Sequence, residues 1–161
     1  MPPRKPIPAA DRTPQARLSE GVMHGITGYQ LAQAAIVTDQ VFEQQVGARG
    51  GLRKVELTLL ALIQANPDVT ARQLARALSV TPPNIAVWLD KLSARGLIER
   101  SRSDTDARMQ HITTSRAGSA LVDKSARALI DGEAAALSTL SPAEQAMLVE
   151  LLHKVALARK A

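Results

Sequence analysis

Cysteine is absent from the 161 residues. That excludes disulfides, thiolate nucleophiles, cysteine-held zinc and thiol-based redox sensing. Aromatics are nearly absent too: Tyr29, Phe42 and Trp88 are the whole set. A β-sandwich or barrel wants aromatic and β-branched strands, so a core of Leu, Ala, Val and Ile at helical spacing is expected instead. No apolar run approaches the ~18 residues of a membrane helix, and the opening stretch lacks the apolar middle of a signal peptide. The expectation is a cytoplasmic protein with no membrane partner. The histidines, His24, His111 and His153, have no metal-ligand spacing. No phosphate-cradling glycine loop occurs, and Ser115 and Ser141 lack the strained setting of a nucleophile. No catalytic residue, metal or cofactor is expected, and the chain does not read as an enzyme.

What is present is positive charge in particular places. The net charge is +5. Residues 1–17 carry +3, residues 18–48 carry −3, residues 49–116 carry +5 and residues 117–161 carry none. The first 17 residues hold five of the nine prolines and read as a disordered basic arm. The middle block is where a polyanion would be met.

Periodicity predicts the elements. Residues 18–47 read as one long helix, with Val22, Ile26, Tyr29, Gln33, Ile36, Val37 and Val41 at three- and four-residue steps. Leu31, Ala34 and Ala35 add a second apolar edge, as on a helix that packs against another subunit. A second helix spans 52–65. Thr70 and Gln73 form a capping box opening a short helix, Ala71 to Leu78. Thr81-Pro82 opens the next, with Ile85, Trp88, Leu89 and Leu92 inward and Gly96 at its end. Trp88 reads as core. Residues 97–102 and 109–113 read as two strands around a polar loop, Ser103 to Ala107. Ser115 caps a helix to about Gly132. A second capping box, Ser141 with Glu144, starts a last helix that buries Met147, Leu148, Leu151, Leu152 and Val155.

Two short helices joined by a tight turn and followed by a β-hairpin make a winged helix-turn-helix. The second helix of such a pair fits the DNA major groove. Its exposed start is Thr81, Pro82, Pro83, Asn84 and Val87: the first amides and Thr81 suit a phosphate, Asn84 suits adenine and Val87 a thymine methyl. Lys91 and Arg95 lie further along, within reach of the backbone. Thr70, Arg72 and Gln73 open the preceding helix and suit phosphate contacts. Arg108 at the hairpin tip suits the minor groove, with Asp106 bracing its guanidinium. Asp104 and Asp106 read as loop-shaping acids with no partner base.

The stretches TGYQLAQAA, VTARQLARALSVTPPNIAVWLDKLSARGLIER and SDTDARMQHITTSRAG resemble the MarR family of bacterial regulators, over roughly residues 24–157. The wing's Asp-x-Arg stands as Asp106 and Arg108. The resemblance implies a mainly α fold (α-α-α-α-β-β-α-α): a dimerisation helix at 18–48, a winged-helix DNA-binding lobe at 49–114 and C-terminal dimerisation helices at 115–161, one domain overall. It implies a homodimer on double-stranded DNA, repressing from a roughly palindromic operator until a small aromatic or anionic ligand releases it. By position, Met23, His24, Ile26 and Tyr29 would line that ligand's pocket. The chain departs from the family at Val87, where an arginine or another polar residue is frequent, at Trp88, where a smaller aliphatic is frequent, and at Ala107, where a second arginine is. Those departures leave a second reading open, a winged-helix protein-interaction module that does not read DNA sequence.

Overall fold

The computed structural model describes residues 11–102 and 110–159. Residues 1–10 of the expected basic arm and the hairpin loop, with Asp106 and Arg108, lie outside the described residues; residues 11–17, expected as part of that disordered arm, instead form a turn in which Thr13 N–H donates to Leu18 O at 2.9 Å and Arg12 bridges to Ser19. The described chain is mainly helical with a two-stranded antiparallel sheet. It divides into two compact units, residues up to Gln40 and residues from Val41 onward.

In the first unit the single helix expected from residue 18 begins later. A 3-10 turn, Gly21–Gly25, precedes helix α1, Thr27–Phe42. Glycine explains the delay. Gly21 sits at φ 53, outside the right-handed helical region, and each helical glycine costs about 1 kcal/mol against alanine. Beyond α1 the helix widens into a π turn, Glu43–Gly47, and closes with Ala48–Gly50. Gly51 at φ 58 ends it in the left-handed conformation that glycine adopts freely.

The second unit builds the core. Helix α2 is Lys54–Ala65, α3 is Ala71–Leu78 and α4 is Pro82–Ala94. Strand β1, Ile98–Arg102, pairs with β2, Gln110–Thr114, in a register that sets Ile98 against Thr114 and Arg100 against Ile112. Helix α5 is Arg116–Ala136 and α6 is Pro142–Leu157. Leu59, Leu60, Ile63, Leu74, Ile85, Leu92 and Ile112 are fully buried together, drawn from α2, α3, α4 and β2. Truncating any of the leucines to alanine would cost about 2–5 kcal/mol. Trp88 lies half-buried against this cluster, in the core role its spacing predicts.

Both capping boxes form. Gln73 N–H donates to Thr70 Oγ1 at 3.3 Å, and Thr70 N–H donates to Gln73 Oε1 at 2.8 Å. Ser141 and Glu144 repeat the exchange at 3.3 and 2.8 Å, and the Ser141 amide and hydroxyl hold the Glu144 carboxyl below its usual range. A strand-like residue escaped the sequence reading: Ile112 N–H donates to Val69 O at 3.0 Å, so the segment before α3 joins the sheet as a one-residue bridge. A lone bridging residue has no periodicity to betray it.

The apolar stripe expected to be buried on α6 is not covered within the single chain. Met147 is 56% exposed, Leu151 49% and Val155 54%. Val22, Ile26, Ile36 and Val37 in the first unit are exposed as well. Helical periodicity identifies a stripe that water disfavours, but not which chain covers it. No helix among the described residues is long and apolar enough to cross a membrane.

Candidate nucleic-acid interface

The turn between α3 and α4 is tight because Ser79 takes a left-handed conformation, φ 54. Val80 N–H then donates back to Ala75 O at 3.0 Å and Ser79 N–H to Arg76 O at 3.2 Å. Helix α4 therefore starts beside the end of α3. Thr81 occupies its N-cap with extended backbone, but its side chain caps nothing. Pro82 and Pro83 supply the first turn without amide hydrogens to satisfy. Thr81, Pro82, Pro83 and Asn84 are all exposed, and Val87, one turn on from Asn84, is 52% exposed. This end of α4 thus offers an unspent hydroxyl, a carboxamide and an apolar branch on one open surface.

The other expected contacts divide. Arg72 and Lys91 are exposed and have no partner among the described residues. Gln73 has its carbonyl oxygen committed to Thr70, which leaves its amide hydrogens to donate. Arg95 has a structural use as well: its guanidinium donates to Gly51 O and Gly50 O, both at 3.2 Å, and lies 3.9 Å from the buried carboxylate of Glu56, while its side chain stays 40% exposed. It closes the carbonyl end of the helix that follows α1. Sequence spacing alone could not show this, because its partners lie about forty residues away. Arg100, not singled out by the sequence, donates to Asp90 at 2.7 Å and fixes β1 to α4. The hairpin is also fixed at its far edge, where His111 Nδ1 meets Asp68 O at 2.7 Å.

The four residues expected to line a ligand pocket lie in the first unit, and the structure brings two of them together. His24 Nδ1 is 2.8 Å from Glu20 Oε2, and its Nε2 is 3.4 Å from Asp11 Oδ1. Tyr29 donates to the other Glu20 oxygen at 3.3 Å, and Gln30 Nε2 donates to Glu20 Oε2 at 3.2 Å. The Glu20 side chain is only 5% exposed. Met23 and Ile26 are exposed beside this cluster. The hydrogen bond with His24 lowers the Glu20 pKa, and the same bond raises that of His24. Burial near Glu20 raises that of Tyr29. A depressed Glu20 stabilises the cluster above its ordinary value of 4.5, and a raised His24 stabilises it below its ordinary value of 6.5. The cluster is therefore tightest between those values, loosens as pH rises through the His24 titration, and loosens again as Glu20 takes up a proton. Proteolysis of the segment around residues 11–25 should be slowest near the middle of that window. A cleavage rate that is flat from pH 5 to 8 would refute the ion-paired cluster.

Residues 51–109 match the model of the MarR family. The matched segment runs from the start of α2 through the helix pair into the hairpin, and the resemblance to MarR-family winged helices lies there. It is 26% identical over 140 residues to a Thauera aromatica protein named for regulation of the hcr operon, which covers 87% of this chain and 84% of that one. It resembles the transcriptional repressor CouR, solved on a 23-mer DNA duplex, at 26% identity and a TM-score of 0.79, over 86% of this chain and 98% of that chain. It resembles a probable transcriptional regulator from Pseudomonas aeruginosa at 27% identity and a TM-score of 0.72, over 83% and 98%. The chain thus shares the fold of these transcriptional regulators, with the expected element order.

Proposed function

We propose that this MarR-family regulator is a homodimeric repressor that binds a roughly palindromic operator and leaves it when a small ligand binds. The observation that carries the DNA reading is the open start of α4, where Thr81, Pro82, Pro83, Asn84 and Val87 stand together uncovered. A helix presented in this way fits the major groove. Asn84 reads adenine through its carboxamide, and Val87 meets a thymine methyl. Thr70, Arg72, Gln73 and Lys91 hold phosphates around it, and Arg108, braced by Asp106, enters the minor groove from the wing. Arg95, at the C-terminal end of α4 and 40% exposed, adds a guanidinium within reach of the backbone. CouR's duplex-bound state supports the reading. The exposed stripes of α1 and α6 support a dimer, whose two α4 helices would enter successive major grooves about 10 bp apart. Residues 18–48 and 115–161 then serve dimerisation and 49–114 serves DNA. Release follows if the ligand favours a conformer whose two α4 helices are wrongly spaced.

The test is selection of bound duplexes from a random DNA pool, repeated with Asn84→Ala. An enriched inverted repeat with half-sites about one helical turn apart is expected, and Asn84→Ala should relax the preference at one position per half-site by about 1–3 kcal/mol. No enrichment, with weak salt-sensitive binding alone, would reduce the interaction to backbone attraction. No binding at all would favour a protein-interaction module.

A further inference from the structure

The first two turns of α4 carry little charge for a helix that meets a polyanion. Residues 82–89 contain no lysine and no arginine. The exposed side chains there are Pro82, Pro83, Asn84, Ala86 and Val87. Four of these are apolar, and Val87 is 52% exposed. Val87 lies one turn on from Pro83, so the two stand side by side on the helix surface. Charge begins only on the third turn, where Asp90 accepts from Arg100 at 2.7 Å and the exposed Lys91 follows.

The backbone is as bare as the side chains. Pro82 and Pro83 have no amide hydrogen, and the Asn84 and Ile85 amides both donate to Thr81 O, at 3.1 and 3.3 Å. The amides at the start of α4, expected to suit a phosphate, are therefore not free to hold one. Each base pair presents its own pattern in the major groove, and this surface answers only part of it. Guanine is read by arginine or lysine, and the first two turns have neither. Asn84 answers adenine. What remains for Pro83 and Val87 is the one apolar group the groove offers, a methyl on C5 of a pyrimidine. Thymine carries that methyl and uracil lacks it. Cytosine lacks it too, and 5-methylcytosine carries it in the same place.

We propose that Pro83 and Val87 select DNA by the C5-methyl groups of pyrimidines, so that thymine and 5-methylcytosine are accepted where these side chains meet the groove, and uracil and unmodified cytosine are disfavoured. This selectivity deepens the DNA reading above and rests on it. Removing one methyl from the contact takes away apolar burial and supplies no hydrogen bond in exchange. The effect is about fourfold in affinity for one half-site and about fifteenfold for a symmetric pair. Methylation of a cytosine at that position then strengthens binding, because the added methyl lies in the major groove within reach of Val87.

The test starts from the duplex enriched in the random-pool selection and uses the full-length protein. Each thymine is replaced in turn by uracil, in both half-sites at once, and affinity is read by fluorescence anisotropy. One position per half-site should lose about fifteenfold. At that position a 5-methylcytosine–guanine pair should bind about fifteenfold tighter than a cytosine–guanine pair. Val87→Ala, which withdraws two methyls from the contact, should reduce both ratios to about threefold or less. Lys91→Gln should instead weaken the thymine and uracil duplexes alike, since a phosphate contact carries no sequence. Unchanged thermal unfolding would show that the variants stay folded. If no thymine position responds to uracil, the methyl selectivity is overturned and the DNA reading stands. The same holds if both ratios persist unchanged in Val87→Ala and in Pro83→Ala, because the methyl then acts through DNA shape and not on this surface. If no duplex is enriched at all, the DNA reading fails, the methyl selectivity fails with it, and the apolar start of α4 belongs to a protein partner.

Discussion

For the proposed dimer, Leu151→Glu is expected to leave only monomer and to abolish cooperative binding to the proposed operator. Leu151 sits on α6 in a stripe with Met147, Leu148, Leu152 and Val155, four of which are exposed in the single chain. An apolar surface of that continuity is seldom left to water. If a second copy covers it, a carboxylate at the centre of the stripe must be desolvated without a partner, at a cost of several kcal/mol. A loss of about 4 kcal/mol corresponds to roughly a thousandfold weaker association. Sedimentation equilibrium should show the wild type at twice the chain mass and the variant at the chain mass. Operator affinity should fall to that of one half-site. Lys154→Ala supplies the control. It removes the exposed i,i+4 pair with Glu150, a pair worth about 1 kcal/mol at most, and should leave the mass unchanged. A Leu151→Glu protein that sediments like the wild type would remove α6 from the dimer interface.

That prediction bears on what the sequence could and could not disclose. Features written in neighbouring residues were legible. Thr70 with Gln73 and Ser141 with Glu144 announced two helix starts, and both boxes close as expected. Gly96, at φ 65, ends the α4 segment where the pattern required. The reading surface at Thr81 to Val87 was legible for the same reason, since an N-cap, two prolines and an inward stripe fix which residues remain outside. Features that depend on distant partners were not. Nothing near Arg95 in sequence shows that its guanidinium also holds the Gly50 and Gly51 carbonyls. Val69 gave no sign of bridging to Ile112. The stripe of α6 was legible as apolar, and it lies exposed in the single chain. Amphipathicity reports a preference for leaving water, and a single sequence does not say where the covering surface comes from.

Gly118→Ala is the substitution expected to damage the fold most for its size. Gly118 lies in the first turn of α5, where its amide donates to the capping hydroxyl of Ser115 at 3.0 Å. A Cβ added there would lie 2.0 Å from Leu97 O and 3.0 Å from Leu97 C. Those are backbone atoms held in place from both sides. Leu97 O accepts the Ser115 amide at 3.1 Å, and Leu97 and Ile98 are buried in the core that positions α4. Relief requires α5 to move off the sheet or the Leu97 peptide to turn, either of which opens packed surface, at about 3 kcal/mol. Alanine's better helix propensity returns up to about 1 kcal/mol, for a net loss of about 2 kcal/mol. Gly132→Ala, further along the same helix, is the internal comparison. Its added Cβ would meet Val41 Cγ1 at 2.8 Å and Gln45 Cγ at 3.1 Å, side-chain atoms that give way at less cost than a fixed peptide even though Val41 is buried and stiff at χ1, so the net loss should be smaller. Urea unfolding of both variants separates the two cases. A fall in midpoint for Gly118→Ala with a smaller one for Gly132→Ala is expected. Equal midpoints would mean that α5 does not rest on the Leu97 peptide as closely as the structure has it, and that the sheet and α4 are positioned by side-chain packing alone.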